Sequence, residues 1–156
     1  MDTPCGGYEH PEGKPVFKQM RGYRTPVLKE LLSSVKPDHT VVVMGTNFLC
    51  CSEDAAPHVR RLLDTVAAAG SGCIWVGPPE GKAPPGAPPP KPGPGPTERL
   101  YRVLAAETAS RCLLLDARKM GITVQDPMDE VHVGPATAEA WSRKVAEAVD
   151  EHLARR

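Results

Sequence analysis

Three short apolar runs alternate with amphipathic segments along this chain, and this alternation constrains the fold more than any other feature. The runs span residues 40–44, 73–76 and 111–115 and show no polar alternation. Such runs are typical of parallel strands that are covered on both faces. Helices that alternate with them imply right-handed crossovers and a three-layer α/β/α fold with a parallel sheet.

Four amphipathic helices are predicted around these strands. Thr25-Pro26 is expected to start the first, because Thr is a good N-cap and Pro fits the first turn. The others are expected from Ser52 to Gly70, from a Thr97 cap onward, and from Pro135 to Leu153. Their apolar stripes are Leu28, Leu31, Leu32 and Val35; Val59, Leu62, Leu63 and Val66; Leu100, Val103, Leu104 and Glu107; and Trp141, Val145, Val149 and Leu153.

One domain over residues 1–156 is expected from the length of the chain. Residues 1–23 are rich in Gly and Pro and indicate a long loop. Residues 82–96 are mostly Pro, Gly and Ala, which predicts a surface loop with polyproline character. This loop is either a tolerated insertion, the simpler interpretation, or a PxxP ligand for a partner domain.

Charge and hydropathy exclude several classes of partner. The chain has 19 Lys and Arg against 19 Asp and Glu, so no basic excess favours nucleic acid or an anionic membrane surface. No apolar run approaches the roughly 18 residues of a membrane span. The first 14 residues are polar, unlike a signal peptide.

The five cysteines form an odd set without a CxxC spacing. Cys73 and Cys112 lie in strand-like runs, where Cys behaves as a small core residue, so no disulfide framework is expected. Cys50-Cys51 with His58 lacks the rest of a metal-ligand set, so no metal is expected. This cysteine content leaves the compartment open and slightly favours the cytoplasm.

Two short patterns follow predicted strands and carry groups useful in catalysis. Gly45-Thr46-Asn47 ends the first strand, and Asp129-Glu130-Val131-His132 precedes the last helix. Parallel sheets bind ligands at the carboxyl edge, so these residues are able to share a pocket. His132 suits a general base oriented by Asp129, and Asn47 suits a donor to an oxyanion. Taken alone, each pattern also fits an ordinary turn.

These patterns resemble blocks of the SGNH hydrolases, the GDSL-type esterases. Residues 41–47 resemble the third block, and Asp129–His132 resembles the fifth block, Asp-x-x-His. Residues 74–79 are similar to the strand and Pro-containing loop between them. The resemblance, which covers Pro4 to the C-terminus, implies a flavodoxin-like sheet and Ser-His-Asp hydrolysis of a small-molecule or carbohydrate ester. It implies no metal or organic cofactor.

The resemblance gives each of these residues a role. His132 is the implied base, Asp129 its orienter and Asn47 an oxyanion donor. The second block of the family supplies a Gly whose N–H joins the oxyanion hole. Gly6 fits this place best, and Gly22 is its competitor.

The chain departs from the family at the first block, Gly-Asp-Ser, which has no counterpart. Cys5 lies close to the place in the chain where the nucleophile is expected, but it would occupy the block that supplies the oxyanion Gly. A smaller departure is Glu130, where the family often has Gly. The available serines lie within, at the ends of or between helices, where they fit poorly as a nucleophile: Ser33, Ser34, Ser52, Ser71, Ser110 and Ser142.

The missing block predicts an N-terminally truncated domain without esterase activity of its own. The family's first strand would lie beside residues 41–43, so its absence exposes an apolar edge that favours self-association. Three hypotheses follow: an esterase or deacetylase that lacks its N-terminal segment, a non-catalytic remnant that binds a carbohydrate or protein partner, and an α/β domain with coincidental motifs. A Gly-Asp-Ser pattern in the in-frame DNA upstream of Met1 favours the first, and an immediate stop codon favours the second.

Overall fold

The computed structural model describes residues 27–48, 55–79, 93–122 and 134–155. Helices and strands alternate in this part of the chain, which confirms the predicted α/β class. The helices are α1 (Leu28–Val35), α2 (Ala55–Ala68), α3 (Pro96–Thr108) and α4 (Pro135–Leu153). The strands are β1 (His39–Val43), β2 (Gly72–Val76) and β3 (Leu113–Leu115).

The strands form a parallel sheet in the order β1-β2-β3. In β1 and β2 the register runs from His39 beside Gly72 to Val43 beside Val76. The shorter ladder between β2 and β3 starts where Ile74 lies beside Leu113. Within the described residues, β2 therefore has a strand on each side, while β1 and β3 each have one.

One face of the sheet is covered by α2 and α3. Val42 and Trp75 project from the sheet into a buried cluster with residues of these two helices. Fully burying a Val or Leu side chain stabilises a fold by roughly 1.5–3 kcal/mol. The helical members of the cluster are Ala55, Val59, Leu63, Leu100 and Leu104.

The opposite face of the sheet is buried at β2 but not at β1. Side chains alternate between the faces of a strand, so Ile74 and Val76 point away from Trp75, and both are fully buried. Val41 and Val43 project from β1 on the same face as Ile74 and Val76, yet they are 43% and 50% exposed. The expectation that both faces are covered is therefore confirmed for β2 and wrong for β1.

The predicted helical stripes agree with the structure best in α2, where Val59, Leu63 and Val66 are buried. In α1 the prediction is wrong for Leu31 and Val35, which are exposed, while Leu32 is buried. The helix has only eight residues and packs on α2, so one row of its side chains is covered.

The other two helices depart from the prediction in detail. In α3 the stripe misses Tyr101, which is buried. In α4 the predicted Leu153 is exposed. No helix in the described parts of the chain is long and apolar enough to cross a membrane.

The predicted N-caps of two helices, α1 and α3, are wrong. The N-cap of α1 is Val27, so the helix begins after Thr25-Pro26, which lies outside the described residues. The N-cap of α3 is Gly95, and Thr97 lies inside the helix because Pro96 occupies the first turn, where its fixed φ and missing N–H are tolerated. Gly70 follows α2 with φ +71°, which confirms the predicted stop.

The cysteine prediction is wrong for one pair. Cys73 and Cys112 form a disulfide between β2 and the residue that precedes β3, with their Cα atoms 4.6 Å apart. Both side chains pack against the core cluster, as expected for small apolar residues. The expected packing of both cysteines against the core was therefore correct, but it did not reveal that the sheet register sets the two cysteines side by side. The preference for the cytoplasm rested on unpatterned cysteines and loses that basis.

Candidate functional site at the carboxyl edge of the sheet

The carboxyl ends of the three parallel strands meet at one edge of the sheet. The segments that follow them begin at Met44, Gly77 and Asp116. Ligands of open parallel sheets bind at this edge, because the loops that follow the strands can converge there. The edge is therefore the candidate functional site of the described fold.

Gly45 brings the segment after β1 against the segment after β2. Its φ is +141°, and a Cβ at this position would lie 2.9 Å from Cδ of Pro78 and 3.3 Å from Cδ2 of Leu100. Only glycine combines this backbone conformation with so close an approach. The indole N–H of Trp75 also donates to the carbonyl of Met44 at 3.1 Å, which fixes the end of β1.

Asn47 lies in a short 3-10 turn, Thr46–Phe48, that starts directly after Gly45. The N–H of Phe48 donates to the Gly45 carbonyl at 2.9 Å and closes this turn. The predicted oxyanion donor therefore has its backbone at the carboxyl edge of β1. The side chain of Asn47 is outside the part of the chain that the structure describes.

Tyr101 links the segments that follow β2 and β3. Its buried hydroxyl donates to the Pro78 carbonyl at 2.9 Å and accepts from the Ala117 N–H at 3.0 Å. Burial, together with the nearby Asp116 carboxylate, raises the pKa of Tyr101 well above its usual range. The hydroxyl therefore stays protonated at neutral pH and serves as both donor and acceptor.

Gly77 makes room for this hydroxyl. A Cβ at residue 77 would lie 2.5 Å from the Tyr101 oxygen and 2.6 Å from Cζ of its ring. Since these are rigid parts of a buried ring, an alanine at this position would displace Tyr101. The glycine at position 77 is thus explained by the packing of α3 against the end of β2.

Arg118 and Asp116 form a paired charge beside Tyr101. The guanidinium contacts both carboxylate oxygens, with Nε 2.8 Å from Oδ1 and Nη2 2.7 Å from Oδ2. Its Nη1 also donates to Glu98 at 2.9 Å, and its central carbon lies 3.8 Å from the centre of the Tyr101 ring. The hydrogen bonds from Arg118 hold the pKa of Asp116 below its usual range.

Asp116 consequently has a structural task in this arrangement. One of its oxygens accepts from the Arg118 N–H at 3.1 Å and caps the 3-10 turn Ala117–Lys119. A carboxylate that is ionised, paired and capping is a poor proton acceptor. The described edge thus provides a rigid frame made by Tyr101, Asp116 and Arg118, rather than a general base.

The remaining predicted site residues lie outside the described residues. These are Asp129, His132 and Gly6, together with the competitor Gly22 and the substitute nucleophile Cys5. The structure therefore does not place them relative to Asn47. It adds Tyr101 and Arg118 to the edge, which the sequence reasoning missed. For Tyr101, a signal in the sequence was its helical spacing from Leu104 and Thr108, since all three side chains are buried along α3.

Two other features of the described residues are separate from this edge. A groove of about 340 Å³ lies between α1 and the carboxyl half of α2, lined in part by Lys29, Arg61 and Asp64. Because α2 leads back to the start of β2, this groove lies toward the amino end of the sheet. Among the described residues, no group of three or more His, Cys, Asp or Glu side chains is placed to hold a metal ion.

Comparisons with known proteins find no match to this chain. No family model, no curated protein and no solved structure is similar to it. The resemblance to SGNH hydrolases therefore stays a hypothesis that depends on the sequence motifs.

Proposed function

We propose that this chain is an SGNH-type ester-hydrolase domain that lacks the Gly-Asp-Ser block among its 156 residues. Its fold would be the flavodoxin-like, three-layer form of the α/β class. In the complete arrangement, a serine would attack an acyl or acetyl ester and water would then release the acid. His132 would be the general base, Asp129 its orienter, and Asn47 with Gly6 the oxyanion donors.

The observation that carries this proposal is the position of Gly45-Thr46-Asn47. The segment directly follows a strand of a parallel sheet, and Gly45 packs against Pro78 of the next strand's loop. An oxyanion donor is effective only when it is held in place before the reaction. The contacts of Gly45, together with the hydrogen bond from Trp75 to Met44, support such a fixed position for the backbone at residue 47.

The order of the elements gives further support. The Asp129–His132 segment lies between β3 and α4, and α4 spans the predicted final helix, Pro135–Leu153. A segment that leaves the carboxyl end of β3 begins at the same edge of the sheet as Asn47. A start at this edge is compatible with a base and an oxyanion donor that act on one ester.

The proposal predicts that the chain alone does not hydrolyse p-nitrophenyl acetate faster than its His132→Ala variant. The sequence has no Gly-Asp-Ser block to supply the serine that would be acylated, so the base is expected to have no hydroxyl to activate. The measurement is the steady-state release of p-nitrophenol by both proteins at equal concentration. Turnover that depends on His132 would contradict the missing nucleophile and require a different mechanism.

A second experiment tests the family assignment itself. The gene is extended through the in-frame codons upstream of Met1, and the longer product is assayed for acetyl-ester hydrolysis. A Gly-Asp-Ser segment there should give activity that falls with His132→Ala and drops about 100- to 1,000-fold in kcat with Asn47→Ala. His39→Gln, at the amino end of β1, is the matched control and should retain activity. An upstream stop codon would favour the non-catalytic remnant, and activity insensitive to His132 would overturn the assignment.

A further inference from the structure

The Cys73–Cys112 disulfide lies at the amino end of the pairing between β2 and β3. Ile74 lies beside Leu113 in the register, so the cysteines face one another one step earlier. Both side chains are half-buried against the core cluster. They are 39 residues apart in sequence, and the segment between them includes α3. The bond therefore constrains a large part of the fold.

β3 has few other attachments among the described residues. It is three residues long and pairs with β2 only. Its side chains are all half-buried, whereas Ile74, Trp75 and Val76 of β2 are buried. At its carboxyl end, the Leu115 carbonyl accepts from the Gly77 N–H at 3.1 Å. The disulfide is thus a covalent tie of a short strand whose side chains are only half-buried.

β3 also leads directly into the frame at the carboxyl edge. Asp116 follows the strand, and Ala117 donates to Tyr101. From Cys112 to Asp116 the extended chain measures about 13 Å. A shift of β3 away from β2 would therefore carry the Asp116–Arg118 segment away from Tyr101.

We propose that the Cys73–Cys112 bond is a redox-dependent staple, and that its reduction loosens β3 and the Asp116–Arg118 segment while α2 and α3 keep their packing. A dithiol reductant supplies the two electrons and two protons. One of its thiolates attacks a cysteine sulfur and forms a mixed disulfide, releasing the other cysteine as a thiolate. The second thiol of the reductant then displaces the first cysteine, so the products are two protonated cysteines and the oxidised, cyclic reductant. The proposal is independent of the esterase assignment.

The first test asks whether the bond exists in the purified protein. Trypsin cleaves after Arg61, Lys82, Arg111 and Arg118, so residues 62–82 and 112–118 each carry one cysteine of the pair and no other. Mass spectrometry without reductant should find these two peptides linked. Their recovery only as separate thiol peptides would overturn the proposal.

The second test follows the intact protein with and without dithiothreitol. Reduction of a bond that closes a loop of this length should lower the Tm by about 10 °C. Hydrogen exchange of the amides of residues 113–118 should quicken about tenfold more than exchange in α2 and α3. The Cys73→Ala/Cys112→Ala variant in the same reductant reports any effect of Cys5, Cys50 and Cys51.

The first two outcomes do not depend on the variant, because they compare the native protein with itself. An unchanged Tm would show that the bond does not hold the strand and would overturn the proposal. Equal acceleration of exchange across all helices and strands would mean loss of the whole fold, which also overturns a local staple. An equal response of the double variant would assign the effect to the other cysteines and would also overturn the proposal.

Discussion

At the scale of single residues, Asp116 is a charged side chain whose hydrogen bonds have a structural role. Its side chain is only 14% exposed, and it accepts two hydrogen bonds from the Arg118 guanidinium and one from the Arg118 backbone. Charge-assisted, two-point pairs of this kind are among the stronger hydrogen bonds of proteins. Arg118 also lies over the Tyr101 ring, so loss of the Asp116 charge would leave Glu98 as the remaining carboxylate that holds the guanidinium there.

The lowered pKa of Asp116 predicts a defined dependence of stability on pH. A carboxyl whose pKa is lower in the folded state stabilises the fold above its unfolded pKa of about 3.9, and this contribution is lost as the pH falls through the folded value. The free energy of unfolding should therefore fall below about pH 4 in the native protein, and Asp116→Asn should flatten this fall. Urea titrations between about pH 2 and pH 7 measure it.

The exposed carboxylate of Asp64 offers the matched control. It pairs with Arg111 and is 69% exposed, so Asp64→Asn removes a surface charge without disturbing the frame. Exposed ion pairs contribute only about 0–1 kcal/mol to the free energy of unfolding. Identical pH profiles for the native protein and Asp116→Asn would show that Arg118 does not stabilise the ionised carboxyl.

At the scale of elements, α3 is the connector between two loops rather than only a cover for the sheet. Leu100 and Leu104 enter the core, while Tyr101 reaches the segments after β2 and β3. A glycine at position 77 is needed because the phenol ring occupies the space of a side chain there. One helix thus sets the separation of the loops at the candidate site.

Tyr101→Phe is predicted to destabilise the protein by about 2–3 kcal/mol. The change keeps the ring beneath Arg118 but leaves the Pro78 carbonyl and the Ala117 N–H without their buried partner. Urea unfolding of the two proteins measures the difference. Ser34→Ala, which removes an exposed hydroxyl bonded within α1, should cost less than about 0.5 kcal/mol. A loss for Tyr101→Phe no larger than for Ser34→Ala would refute the role of the hydroxyl.

At the scale of the whole molecule, β1 is an unpaired edge within the described residues. Its sequence, HTVVV, has no Lys, Pro or acidic residue of the kind that protects sheet edges. Val41 and Val43 of β1 and Met44 directly after it are exposed, and so are Leu31 and Val35 of α1. Among the residues that the structure describes, β1 thus has the expected apolar edge, and the self-association that this edge favours stays a prediction.

The chain is predicted to self-associate at micromolar concentration through β1. A lysine at residue 41 or 43 places a charge on this edge, so Val41→Lys and Val43→Lys should shift the protein toward the monomer. Light scattering after size-exclusion chromatography measures the mass. Ala106→Lys, at an exposed position of α3, is the matched control and should leave the association unchanged. A native chain that is monomeric and unfolds in one cooperative step would rule the prediction out.

The sequence by itself determined the class of the fold and the positions of its strands. Local signals are sufficient for this, because apolar β-branched runs and 3.6-residue periods reflect which side chains must leave water. Residues 40–44 and 73–76 each lie within one residue of the observed strand, although 111–115 shortened to Leu113–Leu115. The Gly45-Thr46-Asn47 turn was placed correctly at the end of β1 for the same reason.

Only the tertiary structure decided which distant residues meet. The Cys73–Cys112 bond depends on the register of two strands 39 residues apart, which no local pattern encodes. Tyr101 bridges two loops because of how α3 crosses the sheet, and the stripe of α1 is half exposed because α1 packs on α2 along one row. Local sequence sets each element's preference, whereas register and packing come from the sum of contacts across the whole chain.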